Sequence, residues 1–568
     1  MDGGDLPSGS GSDIKKKQKL DDSVDDEDDS SSPMEVERRR YRSMAKVAIG
    51  YGVNPSVQNS FIAESIHSVC PEFSLDTSKL KSAVLEMHEE GKEKVKKMLK
   101  EREGSLTLCY EWFVLGDWTS DAIDGPILNE DFIGISAYFA DENWKMNKWV
   151  LWYHPRASLR VKDIYVDSIK NVILDYGIES KVSTLLMPNY SDLGVKAFDD
   201  FRRWIEESGK SEIHPRVFLI YCCSDIFRLM VDDVFKDISI WFMDRVRMMF
   251  RWGRLAPKNW DVTLCNLQKA VYLFEEDEDY EDWEQPTDEE WITIKTFCKL
   301  AGCIYKVAKE LFDGEYPTSN VYFHLLAELK FMLKEELKNG DSDYFLSKAK
   351  VILERFVKYW NDMFLVLATA SVLDPRFKTK YLEFYCSKKE VNEEGSKAET
   401  VLDYIRNLYA AGDISPLPEC PDASVKPKSL SLLQFLFGVE AEGDEEEEED
   451  EKEEEKKPNG YKDFVLFQEF LKFEGSSREF QESELDSYLK EPIMEWKKEF
   501  NALDWWREKN SKYPILSRVA RDILSIPISR GTSHRAYVAD KRECPEFIVS
   551  MEDKLVNAMM CSESWPRF

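Results

Sequence analysis

An acidic low-complexity run interrupts the chain near its C-terminus, at residues 438–460, and reads GVEAEGDEEEEEDEKEEEKKPNG. Residues 440–457 carry 13 acidic side chains against 3 lysines, a net charge of −10. Because like charges repel one another and cannot enter an apolar core, the run is predicted to be an extended linker. It separates a long N-terminal part from a last unit, residues 461–568, that is rich in tryptophan.

The net charge of the chain limits the partners that its folded surface can bind. The 568-residue chain has a formal net charge of −31, of which residues 1–35 contribute −7. This acidity argues against a general nucleic-acid surface, which needs clustered Lys and Arg, but it leaves room for a local basic face. The 11 cysteines show no paired spacing, which indicates a reducing compartment. No apolar run approaches the ~18 residues of a membrane span, so no membrane partner is expected.

A polar segment, residues 1–42, opens the chain and is predicted to be disordered. It is rich in Ser and Asp and poor in large apolar side chains, so its burial could not offset the entropy of folding. Within it, KKKQK groups four basic side chains, a pattern typical of a nuclear-import signal, with a solvated charge run as the alternative. The predicted import residues are Lys15, Lys16, Lys17 and Lys19.

Hydrophobic periodicity divides the part between this segment and the linker into three regions. Residues 43–104 are predicted to be helical, because apolar side chains recur every three to four positions. Residues 105–258 hold the β-branched and aromatic runs SLTLCYEWF, FIGISAYFA and KWVLWYH. These runs predict an antiparallel meander, followed by alternating strands and helices, in an α/β or α+β core. Residues 259–437 have almost wholly helical periodicity.

Several stretches are similar to those of a known family. SELDSYLKEPIMEW and the following FNALDWWREKNSKYPILSRVARDILSIPIS resemble the C-terminal dimerisation region of hAT-superfamily transposases, especially of the sleeper-type plant proteins derived from them. FVKYWNDMFLVLATASVLDPRFKTKYLEFY resembles the family's helical insertion, and LTLCYEWF resembles its RNase H-like core. The resemblance implies an α/β fold with a degenerate RNase H-like core, a large all-helical insertion and a helical C-terminal dimerisation module.

The resemblance also allows the family's catalytic positions to be examined. Its transposases need three carboxylates that converge on two divalent cations, because hard metal ions prefer oxygen ligands. The matching motifs place Tyr110, Pro188 and His534 at these three positions, and none supplies an anionic carboxylate oxygen. We therefore expect no catalytic site, no bound metal and no cofactor. An active alternative would have to use displaced carboxylates, Glu111 or Asp117.

Two further features of the family are altered. The BED-type zinc finger needs paired Cys and paired His, whereas the first such residues here are Cys70 and His67, in a region of helical periodicity. No finger is expected, which removes the obvious module for reading a DNA sequence. A Cys-x-x-His pair of the family core corresponds to CCSD, with Asp225 in place of the His. Cys222 and Cys223 lie in an apolar run and are predicted to be core residues.

The C-terminal region carries a dense apolar set on and around one amphipathic helix. Aromatic and aliphatic side chains on a helix face are typical of a subunit interface, although spacing alone favours packing within the same chain. The resemblance favours an interface, with part of the set packed internally. The predicted interface residues are Trp505, Trp506, Tyr513, Pro514, Leu516, Val519, Ile523, Leu524 and Ile526.

These features predict a catalytically inactive, transposase-derived nuclear protein. It would associate with itself or with a related hAT-derived protein, and with chromatin-associated proteins, in transcriptional or chromatin regulation. DNA contact would be weak or indirect. One alternative is an active metal-dependent transposase or nuclease. Another is a DNA-binding protein that uses residual basic surface, for which the best patch holds Arg245, Arg247, Arg251 and Arg254.

Overall fold

The computed structural model of the chain describes most of the sequence on either side of the acidic linker. The linker itself and the predicted import residues lie outside the described residues. Within them, no helix is long and apolar enough to cross a bilayer. The described residues are 32–56, 68, 74–114, 131–156, 166–188, 192–207, 217–250, 260–276, 286–312, 319–340, 342–388, 397–414, 464–471, 483–497, 500–530, 542–543, 546–548 and 551–566.

A mixed β-sheet forms the centre of the fold. Its strands run in the order β3-β2-β1-β4-β5; β1, β2 and β3 are antiparallel neighbours, whereas β4 and β5 run parallel to β1. Every residue of β4 is buried, which is typical of a parallel strand in a sheet that is covered on both faces. The predicted α/β fold is confirmed. The strands are β1 (Leu106–Val114), β2 (Asp131–Ala140), β3 (Met146–Pro155), β4 (Val182–Met187), β5 (Phe218–Tyr221) and β6 (Arg542–Glu543), which pairs with β1.

Helices surround the sheet and form every element described between residues 260 and 414. The first six are α1 (Pro33–Tyr51), α2 (Thr77–Glu101), α3 (Val166–Tyr176), α4 (Asp192–Glu207), α5 (Cys223–Phe235) and α6 (Ile240–Phe250). The next six are α7 (Trp260–Glu276), α8 (Asp288–Leu311), α9 (Ser319–Lys338), α10 (Asp343–Val372), α11 (Lys378–Ser387) and α12 (Lys397–Ile414). The last five are α13 (Val465–Leu471), α14 (Glu484–Lys490), α15 (Ala502–Lys509), α16 (Pro514–Leu524) and α17 (Asp553–Ser564).

The first helix begins earlier than the sequence predicts. Residues 33–42, assigned above to the disordered segment, are helical because Ser32 caps the helix: its hydroxyl accepts a hydrogen bond from the Glu35 backbone N–H, and Pro33 stands at the first helical position. Tyr41 and Ala45 are buried in a small core that α1 shares with α2 and α17. The polar composition of the preceding residues led to a predicted helix start that is too late.

The last unit, predicted to follow the linker as a separate module, is part of the same core as the sheet. Helix α17 covers the edge strand β3: the Val150 N–H donates to Ser564 Oγ at 2.8 Å, and the Tyr153 N–H donates to Asn557 Oδ1 at 2.9 Å. The indole N–H of Trp565 donates to the Val150 carbonyl. An uncovered edge strand presents unpaired backbone groups, so these contacts protect the sheet.

A turn between α10 and α11, with the sequence LDPR, holds a buried ion pair. The Arg376 guanidinium donates to both carboxylate oxygens of Asp374, at 2.7 and 3.0 Å, and Asn320 on α9 donates to one of them at 2.9 Å. Both charged side chains are almost fully buried. Burial acts to raise the pKa of Asp374, but the charge and hydrogen bonds of Arg376 and Asn320 outweigh it and hold that pKa below its usual value.

The backbone of this turn binds the C-terminal region. The Leu373 carbonyl accepts the indole N–H of Trp506 at 2.7 Å, and the Pro375 carbonyl accepts the Met494 N–H at 3.0 Å. The buried Lys378 ammonium donates to the Tyr488 carbonyl. We call this set of contacts, made by residues 373–378, the LDPR clamp; it fixes the region after the linker against the helical insertion.

Loss of Arg376 is expected to destabilise the whole fold. Arg376→Met leaves a buried carboxylate without its cation, which costs about 3–5 kcal/mol of unfolding free energy. Arg406→Met is the matched control, because its pair with Asp403 is more than half exposed and should be worth less than about 1 kcal/mol. Urea denaturation measures both. Equal losses in the two variants would contradict a structural role for the clamp.

A buried glutamate predicts a dependence of stability on pH. Glu328 on α9 accepts the Phe467 N–H at 3.3 Å, and burial raises its pKa from 4.5 to about 7. The folded state therefore keeps this proton at pH values where the unfolded chain has lost it, and stability falls as the pH rises from about 4.5 through 7. Glu328→Gln removes the titration. We expect the stability advantage of the variant over wild type to grow by roughly 2 kcal/mol between pH 5 and pH 8.

Thermal unfolding at several pH values measures that advantage. Glu399→Gln, a substitution of an exposed glutamate on α12, serves as the control and should show a constant difference from wild type. If Glu328→Gln also differed from wild type by a constant amount, the titration of Glu328 would not be linked to folding.

Candidate functional site

The candidate site lies at the C-terminal end of β4 and beside the middle of its parallel neighbour β1. Cys109 on β1 is level with Leu186 on β4, so Tyr110 lies one residue beyond this pair on β1, whereas Pro188 lies two residues beyond it, directly after the end of β4. Both residues are buried. The third position, His534, lies outside the described residues, as does the alternative carboxylate Asp117. The structure thus brings together the first two positions at which the family's carboxylates are expected.

The carboxylate that follows Tyr110 in the sequence is already engaged. Glu111 is fully buried in β1, and it accepts hydrogen bonds from Lys148 Nζ at 2.6 Å and from Ser136 Oγ at 2.8 Å. Successive side chains of a strand point to opposite faces of the sheet, so Glu111 and Tyr110 do not share a face. The Lys148 ammonium neutralises the Glu111 carboxylate, so this carboxylate does not need a metal ion to balance its charge.

These residues do not fit a centre of two hard cations. Such a centre needs several free carboxylate oxygens on one face, whereas this place offers a phenol, a proline and a glutamate paired with a lysine. Across the described parts of the chain, no group of three or more His, Cys, Asp or Glu side chains is arranged to hold a metal ion. No metal-dependent step is assigned to this place.

A second buried ion pair joins the start of α5 to the segment that follows α16. The Arg530 guanidinium donates to both oxygens of Asp225, at 2.8 and 2.9 Å, and both side chains are buried. Next to this pair, the Cys223 N–H donates to the Ile528 carbonyl at 2.9 Å. Asp225, which replaces the family's His, therefore anchors the C-terminal segment. The pair was not predicted, because its members are 305 residues apart in sequence.

Cys222 and Cys223 lie in the core, as expected. Both are free and fully buried, and burial raises the pKa of the Cys223 thiol well above its ordinary value. The Cys222 thiol contacts Ser224 Oγ at 3.0 Å. Burial of the Cys223 thiol therefore disfavours its reactive thiolate form.

Most of the predicted interface set is buried inside this one chain. Trp506 packs against Tyr488 and Tyr513, and α16 inserts its apolar face between the sheet and the helical insertion. Only Trp505, Pro514 and Val519 keep part of their surface exposed. The assignment of the others to a subunit interface needs correction, because their burial requires no partner. Those residues are Trp506, Tyr513, Leu516, Ile523, Leu524 and Ile526.

The predicted DNA-contacting patch lies mostly outside the described residues. Arg251 and Arg254 are not described, and Arg245 is placed in α6 without a description of its side chain. Arg247 is partly exposed and lies 3.9 Å from Asp244 on the same helix. No described contact gathers these arginines into one face, so the patch stays a prediction. Cys70 and His67 also lie outside the described residues.

A surface groove was missed by the sequence analysis. It lies beside α15, has a volume of about 570 Å³, and is lined by aromatic, aliphatic and charged side chains. Trp505 is the one member of the predicted interface set that lines it. Sequence spacing could not separate Trp505 from the neighbouring Trp506, because only the fold decides which of two adjacent rings is inside. The lining residues are Met494, Lys497, Phe500, Asn501, Asp504, Trp505 and Glu508.

Two regions of the chain match models of known families. Residues 484–566 match the hAT family C-terminal dimerisation region. Residues 320–411 match the hAT-like transposase, RNase-H fold. The second match covers helices α9 to α12, which pack beside the sheet and are not part of it.

Similar proteins span most of this chain. Zinc finger BED domain-containing protein RICESLEEPER 2 of Oryza sativa subsp. japonica is 24% identical over 549 residues, covering 90% of this chain and 72% of the relative. Zinc finger BED domain-containing protein DAYSLEEPER of Arabidopsis thaliana is also 24% identical, covering 90% and 70%. The Putative AC transposase of Zea mays is 22% identical, covering 90% and 63%. The predicted relationship to hAT transposases and sleeper-type plant proteins is confirmed.

Proposed function

We propose that this hAT-related chain is a catalytically inactive protein that acts in the nucleus by associating with itself or with a related protein. Catalytic inactivity is supported by the residues at the end of β4 and beside it in β1. Tyr110 and Pro188 stand at two carboxylate positions, and both oxygens of the neighbouring Glu111 are hydrogen-bonded to Lys148 or Ser136. The described residues at this place supply no ligand set for a two-cation mechanism.

The proposal of association rests on the C-terminal region. Residues 484–566 match a dimerisation region, and the LDPR clamp holds that region rigidly against the rest of the chain. A rigid surface loses little conformational entropy when it binds a partner. The partner is a second copy or a related chain.

The same comparisons support a site of action in the nucleus. Three similar proteins carry the names of sleeper proteins or of a transposase, and the sleeper names include a BED zinc finger. Because these names are those of zinc-finger proteins and of a transposase, we place the chain in the nucleus, in transcriptional or chromatin regulation. A finger-bearing relative bound at the C-terminal region would supply the contact to DNA.

Absence of cleavage is the expected result when the purified full chain is tested on DNA with Mg²⁺ or Mn²⁺. Neither strand cleavage nor strand transfer should exceed the background of a Glu111→Gln variant, because no free carboxylates among the described residues converge on the metal position. Metal-dependent products formed by the wild type and lost in Glu111→Gln would contradict catalytic inactivity. They would favour the alternative of displaced carboxylates.

Association of the full chain is tested by sedimentation velocity across a range of concentrations. The wild type should shift from monomer to dimer at micromolar concentration or below, as expected for a specific interface of ordinary size. A truncation at Gly460 is unsuitable, because it removes residues buried in the common core. A chain that stays monomeric, both alone and when mixed with a sleeper-type relative, would contradict the proposal.

A further inference from the structure

The groove beside α15 has an apolar floor and a rim with charges of both signs. Met494, Phe500 and Trp505 form the floor, whereas Lys497 and Glu508 stand on the rim. Aromatic rings in such a setting are typical of the residues that dominate binding energy at protein interfaces. The groove therefore has the composition of an interface centre.

Buried side chains and a backbone hydrogen bond support the floor of the groove. The Trp505 ring packs edge-on against the buried Trp506 ring, with 5.0 Å between centroids. The Arg376 guanidinium lies 4.7 Å from the centre of the Phe500 ring, and the Met494 N–H is bound by the Pro375 carbonyl. The LDPR clamp thus fixes the apolar surface before any partner arrives, which reduces the entropy that binding would cost.

The rim charges are available for a partner. Lys497 and Glu508 are both exposed, and within the described parts of the chain neither forms an ion pair. The other acidic residue of the rim, Asp504, pairs with Arg507 at 2.9 Å. One unpaired cation and one unpaired anion therefore border the same apolar floor. A two-fold axis through such a patch would set each cation against the other copy's anion, which is the self-complementarity that a symmetric dimer needs.

We infer that a second copy of this chain docks on this groove about a two-fold axis. Lys497 of each copy faces Glu508 of the other, and the two Trp505 side chains lie near the axis. The inference rests on the proposed function, because it takes association as given and names its surface. A second copy is favoured as the occupant by the charge complementarity of the rim and by the match of residues 484–566 to a dimerisation region.

Another exposed apolar patch competes with this groove. Ile240 and Trp241 at the start of α6 are 77% and 86% exposed. The nearest described charges on that helix, Asp244 and Arg247, lie 3.9 Å from each other and so are partly satisfied within the helix. Among the side chains that the structure describes, this patch has no free cation and anion of its own, and it lies outside the region matched to dimerisation.

Charge exchange tests the two-fold contact directly. Lys497→Glu and Glu508→Lys each place like charges opposite one another twice in a symmetric dimer. Because two contacts change at once, each variant should raise the dimer dissociation constant at least tenfold. An equimolar mixture of the two variants should form a heterodimer of near wild-type affinity, because both contacts are then between opposite charges. The double variant Lys497→Glu/Glu508→Lys should dimerise like wild type.

Trp505→Ala and Trp241→Ala form the matched pair of aromatic truncations. Loss of Trp505 should weaken the dimer by about a hundredfold, as is usual for a central tryptophan, and loss of Trp241 should leave it unchanged. Circular dichroism and thermal unfolding confirm that each variant remains folded. The charge exchanges supply the same test without removing a ring that packs on the core.

The outcomes separate this inference from the proposed function. A dimer that is insensitive to Lys497→Glu, Glu508→Lys and Trp505→Ala overturns the groove but leaves association intact. Weakening by Trp241→Ala alone moves the interface to α6 and also overturns the inference. Single variants that weaken the dimer without complementing one another rule out the reciprocal contact. A wild type that never associates with any copy or relative removes the proposed function itself.

Discussion

The buried pair of Asp374 and Arg376 is the interaction on which the rest of the structure depends. A buried ion pair gains little net energy over an apolar pair, but it tolerates only one arrangement of its partners. Here that arrangement turns the Leu373 and Pro375 carbonyls towards the C-terminal region, where they bind Trp506 and Met494. The same guanidinium supports the ring of Phe500. One turn thereby joins the helical insertion to the region after the linker and shapes the surface that this region presents.

The fold and the catalytic chemistry of such a chain have separable requirements. A sheet of this kind is stabilised by its buried apolar side chains, whereas converging carboxylates repel one another and destabilise it. A phenol at position 110, a proline at position 188 and the Glu111–Lys148 pair remove that repulsion at little structural cost. The proposed association requires the core and the LDPR clamp, and this chain contains both.

Periodicity and strand composition were sufficient to predict the α/β core, the helical character of residues 260–414 and the core position of Cys222. They failed where the outcome depends on distant partners. The Arg530–Asp225 pair joins residues 305 positions apart, and no local pattern marks it. Trp505 and Trp506 are adjacent in sequence, yet one lines a groove and the other is fully buried. The start of α1 was predicted wrongly because the surrounding composition is polar, whereas the helix begins where the Ser32 side chain caps it.

Native-state hydrogen exchange tests most directly the central claim that the region after the linker is part of one cooperative core. The Met494 amide, bound to the Pro375 carbonyl, and the Cys223 amide, bound to the Ile528 carbonyl, report on the two junctions. Both should exchange only through global unfolding, with the same opening free energy as the amides of β4. Exchange of Met494 through a separate opening of lower free energy, with β4 still protected, would show that this region folds as an independent module and would contradict the account.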